Sequence, residues 1–151
     1  MAYKASAYFK GNARKATPSG FHAGATATIS HTHVFDKEAV AATDVLELIM
    51  IPAGARPVSC TFSSENLPAG NTTLGFMSGT PGDPSDARTL GTEIAAAVAH
   101  AATDTSLTLA ALSAAAFQPS DVDRSIGFKP SVDTGAVAAN KKLHIRVTLQ
   151  F

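Results

Sequence analysis

Tryptophan is absent from the 151 residues, and the two tyrosines, Tyr3 and Tyr8, both fall near the start. A carbohydrate-binding surface that stacks sugars on exposed aromatic rings has little to build with here. One cysteine, Cys60, excludes an internal disulfide and reads as a small buried hydrophobe. Charged residues make up 16% of the chain, against about 25% in a typical domain. The 12 basic residues balance the 12 acidic ones, so no broad field draws the chain to nucleic acid or an anionic membrane. The longest apolar run, Val45 to Ile51 broken by Glu47, falls far short of the about 20 residues a membrane helix needs. The opening MAYKASAYFK lacks the apolar core and cleavage site of a signal peptide, and the expectation is a soluble chain made in the cytoplasm.

What is present is alanine, threonine and alternation. A weakly charged, alanine-rich surface suits a protein largely covered by neighbours, although a GC-rich genome produces the same bias. Residues 1–23 hold Lys4, Lys10, Arg14 and Lys15 with no acidic residue and no sustained period, which reads as an extended basic arm. Residues 24–151 read as one domain. Ala25 to Phe35 alternates with threonines, as a half-buried strand does. In Val45 to Ile51, alternation puts Leu46, Leu48 and Met50 on one face, with Val45, Glu47, Ile49 and Ile51 on the other. Pro52, Gly54 and Pro57 then turn the chain, and Val58, Cys60 and Phe62 share the next inward face. The two strands make either a hairpin or a corner between sheets.

Asn71 to Met77 predicts a strand with Leu74 and Phe76 inward, and the Gly79 to Ala87 stretch, GTPGDPSDA, predicts a loop. Leu90, Ile94 and Val98 recur four apart and predict a short helical turn before a long excursion. Leu107, Leu109 and Leu112 begin either a strand or a helix. Arg124 to Lys129 and Leu143 to Phe151 alternate as strands, the last without a fault. Short strands, long loops and at most short helices predict an all-β chain, an antiparallel β-sandwich or jelly roll.

Candidate chemistry is sparse. His31 and His33 form an H-x-H on one strand face, a spacing metal sites use, with His22, Asp36, His100 or His144 as possible third ligands. Their shared parity with Ile29 and Phe35 favours core or interface histidines. Asp121 and Asp123, with Asp83 and Asp86, carry oxygens suited to calcium, yet they fall where Asp commonly closes turns, and no calcium loop pattern accompanies them. No nucleophile elbow or phosphate-cradling glycine loop occurs. Glu47, the one acid in a confident strand, has no visible carboxylate partner for acid–base work. The expectation is a non-enzymatic chain with no cofactor and no metal.

The stretch D-V-L-E-L-I-M-I-P-A-G-A, with T-L-G-F-M at Thr73 to Met77, D-A-R-T-L at Asp86 to Leu90, D-R-S-I-G-F at Asp123 to Phe128 and a closing amphipathic strand, resembles a loose group of tailed-bacteriophage virion proteins. The resemblance covers residues 43–151. It implies a β-sandwich capsid decoration or cement protein on the exterior of the virion, bound to the major capsid protein and to itself as a dimer or trimer. It carries no catalytic residues. The arm's four cations, Lys4, Lys10, Arg14 and Lys15, are then the expected capsid contacts. A tail, neck or fibre-base component is the nearest alternative, and a carbohydrate-binding module a more distant one.

Overall fold

In a computed structural model, residues 3–5, 25–85, 87–107, 109 and 117–151 are described. The strands are β1 (Tyr3–Ala5), β2 (Thr26–Val34), β3 (Val45–Ile51), β4 (Arg56–Glu65), β5 (Asn71–Met77), β6 (Ala95–Ala99), β7 (Thr105–Leu107), β8 (Arg124–Pro130) and β9 (Lys142–Gln150). Strands β2 to β9 form two four-stranded antiparallel sheets, ordered β3-β8-β5-β6 and β2-β9-β4-β7. Strand β1 adds a parallel edge to β3. The chain changes sheet at nearly every connection, so strands distant in sequence become neighbours, which is the jelly-roll form of a sandwich. Among the described residues there is no α-helix.

The core lies between the sheets. Leu74, Ile126 and Phe128 come from one side, and Cys60, Phe62, Leu143, Ile145, Val147 and Leu149 from the other, all nearly or fully inaccessible. Phe128 sits at the centre: the rings of Phe35, Phe62 and His100 each have their centroid 6.4 Å from its own. The unbroken alternation of β9 explains its central position, because a strand paired on both edges needs one uniformly apolar face.

Three expectations from periodicity need correction, two of them because of bulges. A bulge between Glu47 and Ile49 in the β3–β8 ladder shifts the parity of β3. Leu46, Leu48, Ile49 and Ile51 therefore join the core, while Met50 lines the outer side together with residues of three connections. A second bulge, between Pro57 and Ser59, buries Pro57 and leaves Val58 only half-buried. Pro57 thus belongs to β4 rather than to the turn, at the kind of irregularity that tolerates a missing N–H. The β3–β4 connection is a corner between sheets. In the third case the expected helical turn after Ala87 is extended chain: Leu90 bridges Met77, and Ala95–Ala99 is β6. A spacing of four is also a multiple of two, so Ile94 and Val98 can both be buried from a strand as well as from a helix. Leu107 ends β7, and Leu112 lies outside the described residues.

Candidate functional site

Glu47 has lost all contact with solvent, and its partner is Arg88, 4% exposed. Arg88 Nη2 donates to Glu47 Oε1 at 2.8 Å and to Ser125 Oγ at 3.0 Å. Its Nε donates to the Ser78 carbonyl at 2.7 Å and its Nη1 to the Asp83 carbonyl at 3.2 Å. Glu47 Oε2 accepts from the Gly82 amide at 3.0 Å. The loop that joins β5 to Leu90 is thereby clamped onto the outer face of the β3-β8-β5-β6 sheet. Gly79 and Gly82, at φ of 75° and 81°, supply the left-handed turns that fold it back. Gly127 of β8 completes the fit: a Cβ there would lie 2.8 Å from both Leu90 Cδ1 and Met77 Cγ.

This clamp was not visible in the sequence, because its two charges are separated by 41 positions. The available signal was Glu47 itself, an acid in an otherwise apolar strand, for which a distant cation is the physical requirement. Beside the clamped loop lies a groove of about 820 Å³, lined by Met50, Ala53, Gly79, Thr80, Pro81, Asp121, Val122 and Asp123. Asp123 Oδ1 accepts from the Ala53 amide at 2.8 Å, and Gly54 N donates to the Ser120 carbonyl at 2.8 Å, so the groove's second wall is also tied down. Val122, 66% exposed, is the most exposed large apolar residue among those described.

On the opposite sheet a smaller depression of about 270 Å³ includes Ser30, Thr32, Thr61, Ser63, Glu65, Asp104, His144 and Arg146. Thr32 Oγ1 and His144 Nδ1 are 2.9 Å apart, and His144 Nε2 lies 3.3 Å from Glu65 Oε1. Ser63 Oγ donates to Asp104 Oδ1 at 2.8 Å. This is a polar sheet face on which hydroxyls, an imidazole and two carboxylates are hydrogen-bonded to one another.

Of the residues singled out from sequence, His31 and His33 are neighbours with ring centroids 6.5 Å apart, His31 and His144 border the same depression, and the others are spread over the fold. His31 and His33 are buried beneath the β2-β9-β4-β7 sheet, with the His33 ring 4.6 Å from Phe35 in an edge-on contact. His100 is hydrogen-bonded to Thr72 Oγ1 and the Pro68 carbonyl. No group of three or more His, Cys, Asp or Glu residues suited to a metal occurs among the described residues. Asp83 Oδ1 accepts from Ser85 N at 3.1 Å, a turn-closing role; Asp86 lies outside the described residues. Cys60 is buried, and burial pushes its thiol up to about 12. Of the arm's cations, Lys4 lies in β1, where its Nζ donates to Glu38 Oε1 at 2.8 Å with Asp44 Oδ2 at 3.9 Å. The bond to Glu38 raises its pKa above the ordinary lysine value. Lys10, Arg14, Lys15 and His22 lie outside the described residues.

No protein-family model matches the chain, and no curated protein matches its sequence. Among solved structures, a protein in the capsid of Ralstonia phage GP4 has the same fold with a TM-score of 0.79 at 26% identity, with 99% of each chain covered. The chain is similar to a phage capsid protein. A chain in the capsid asymmetric unit of cyanophage Pam1 shares the fold at a TM-score of 0.54 and 18% identity, covering 91% of this chain and 93% of that one. The similarity to the GP4 capsid protein runs end to end, well beyond the residues 43–151 that carried the sequence resemblance.

Proposed function

We propose that the chain is a structural component of a phage capsid, and within it a decoration or cement protein on the outer surface of the head that stabilises contacts between major capsid subunits. The observation that carries this reading is the end-to-end likeness to the GP4 capsid protein, at a TM-score of 0.79 over 99% of both chains. A cement protein acts by mass action: modest contacts repeated over a symmetric lattice stabilise the assembled state, because they form only when neighbours are correctly placed. A rigid jelly roll suits that role, since a sandwich clamped on one outer face spends little conformational entropy on binding. Lys4 fastens the root of the basic arm to the body, and Lys10, Arg14 and Lys15 face acidic patches on the shell.

The experiment deletes residues 2–20 and measures occupancy on expanded capsids by sedimentation and gel densitometry. The expected result is a loss of occupancy that grows with salt for the intact chain and is already present for the deletion, because paired surface charges are screened within about 8 Å at physiological ionic strength. Unchanged occupancy of the deletion removes the arm from the contact. Absence of density for the chain on the outside of the virion removes the decoration reading.

A further inference from the structure

Among the described residues each sheet ends on two edge strands, β1 and β6 in one and β2 and β7 in the other. An edge strand offers a row of unpaired backbone groups, and native chains blunt it by shortness, charge, proline or a bulge. β1 has the charge of Lys4, β7 spans only Thr105–Leu107, and β6 spans Ala95–Ala99 on a ladder to β5 that shifts register between Thr72 and Leu74. β2 has no such device. Its sequence, TATISHTHV, holds no Lys, Arg, Asp, Glu, Pro or Gly, and its two histidines are buried. The ladder to β9 runs from Thr26 opposite Gln150 to Val34 opposite Lys142 without a shift.

The ladder also fixes which groups of β2 face outward. Phe35 N donates to the Lys141 carbonyl at 3.0 Å and Phe151 N to the Ala25 carbonyl at 3.1 Å, the two pairs that continue the β2–β9 register at its ends. Hydrogen-bonded and non-hydrogen-bonded positions alternate in an antiparallel pair, so the odd-numbered residues of β2 direct their N–H and C=O groups to β9. Thr26, Thr28, Ser30, Thr32 and Val34 turn theirs to the open edge, where no described strand meets them. The side chains of the first four are exposed on the outer face. There Thr28 Oγ1 and Thr148 Oγ1 stand 3.2 Å apart, a hydroxyl pair across β2 and β9 that a further strand of the same kind would repeat.

A strand that completes this edge must match its length, carry short hydroxyl side chains at alternate positions and place no like charge opposite; β2 itself meets all three conditions. We propose that β2 pairs antiparallel with the β2 of a second copy about a two-fold axis at its midpoint, Ser30, joining four strands from each copy into one continuous sheet. In this register Thr28 of each copy faces Thr32 of the other, Thr26 faces Val34, and the two Ser30 residues face each other. Both members of every such pair are even-numbered, so each outward N–H meets an outward C=O. The half-buried Ile29 falls opposite the buried His31, and the inner faces continue as well. Arg146 lies one strand behind Ser30, so its backbone is three strand spacings from its copy, about 14 Å, beyond the screening length of about 8 Å. A strand cannot make this pairing with itself, so the contact is between molecules. It follows from β2 alone and is tested in solution without capsids, so it and the capsid reading fail separately.

The full-length protein is followed by sedimentation velocity. A contact along one strand is smaller than a standard interface of about 1,600 Å², so the passage from monomer to dimer is expected between about 1 and 100 μM. Ser30→Lys sets two ammonium groups face to face and is expected to weaken the dimer at least about tenfold. Ala97→Lys, the same change at an exposed position on the β6 edge of the other sheet, is expected to leave it intact. Under mild oxidation, Ser30→Cys is expected to give a disulfide-linked dimer in about tenfold greater yield than Thr26→Cys, because the pairing puts the two Ser30 positions about 5.5 Å apart and the two Thr26 positions about 27 Å apart. The native Cys60 is buried and its thiol pushed up to about 12, so it stays silent at neutral pH. A monomer throughout the concentration range, equal disulfide yields, or a dimer broken by Ala97→Lys and not by Ser30→Lys overturns the proposal. So does slow hydrogen exchange at the Ser30 amide that is independent of concentration, since the chain's own residues then occupy the edge.

Discussion

On the outer face of one sheet, Glu47, Ser125 and Gly127 are sealed beneath the loop that carries Arg88 and Leu90. On the outer face of the other, Ser30, Thr32 and Arg146 stand in solvent, with Thr61 and Thr148 half-buried beside them. Both faces belong to four-stranded antiparallel sheets with the same core between them, so what separates them is the cover. The covered face contains a buried ion pair, which is costly in desolvation and is retained where it fixes one arrangement. Here the arrangement is that of the loop and of the groove beside it. The bare face has no such constraint, and its hydroxyl-rich rows suit contact with water or with a polar partner.

The largest test of the contrast is to remove one member of the pair. Arg88→Ala strands a fully buried carboxylate and is expected to cost about 3–5 kcal/mol in urea denaturation. Replacing both partners, Glu47→Leu with Arg88→Met, is expected to cost less than Arg88→Ala alone, because no buried charge is left over. A cost below about 1 kcal/mol for Arg88→Ala, the range of exposed pairs, shows that the ion pair does not hold the cover.

Next in size is Gly127→Ala. The new methyl meets Leu90 and Met77 at 2.8 Å, and lifting the cover to admit it is expected to cost about 1–3 kcal/mol. The matching change on the bare face, Thr148→Ala, is expected to stay within about 0.5 kcal/mol. Equal costs for the two abolish the distinction.

How far the fold was legible follows from where the information sits. β9 was readable because its alternation runs unbroken and its inner face is wholly apolar. β3 was readable as a strand, but its faces were misassigned after Glu47, because the bulge there is marked by neither glycine nor proline. Pro57 misled in the other direction, since it sits inside a strand at a bulge. β6 was missed because an Ala-rich segment with apolar residues four apart satisfies both periods. The clamp depends on residues far apart in the chain, and only the unexplained burial of Glu47 hinted at it. The groove combines a corner, a hairpin loop and a turn, none of which has a local pattern that places it beside the others.

Cys60 tests the core that both faces share. Its thiol is expected to resist thiol reagents in the native protein at pH 8 and to react on unfolding, as followed by absorbance of the released chromophore. The folded-state pKa, about 12, lies above the ordinary 9.0, so burial favours the neutral form. The contribution is fully present below about pH 9 and is lost as pH rises toward about 12, by about 1.4 kcal/mol per pH unit. Cys60→Ala is expected to flatten that alkaline decline. Rapid native labelling at pH 8 indicates that the sheets open locally near Cys60.

The smallest effect concerns Arg146, exposed on the central strand β9 of the bare face. Its register neighbours are Ser30 on β2 and Thr61 on β4, so truncation removes a solvated side chain flanked by hydroxyls and leaves no buried group behind. Arg146→Ala is therefore expected to change stability by at most about 0.5 kcal/mol, with an unchanged denaturant slope. A loss above about 2 kcal/mol means that the guanidinium performs structural work like that of Arg88, and the two faces then differ in chemistry but not in constraint. A neutral result leaves the bare face free of any stability requirement. Its row of hydroxyls and the single arginine between them is then explained by what the face meets outside the chain.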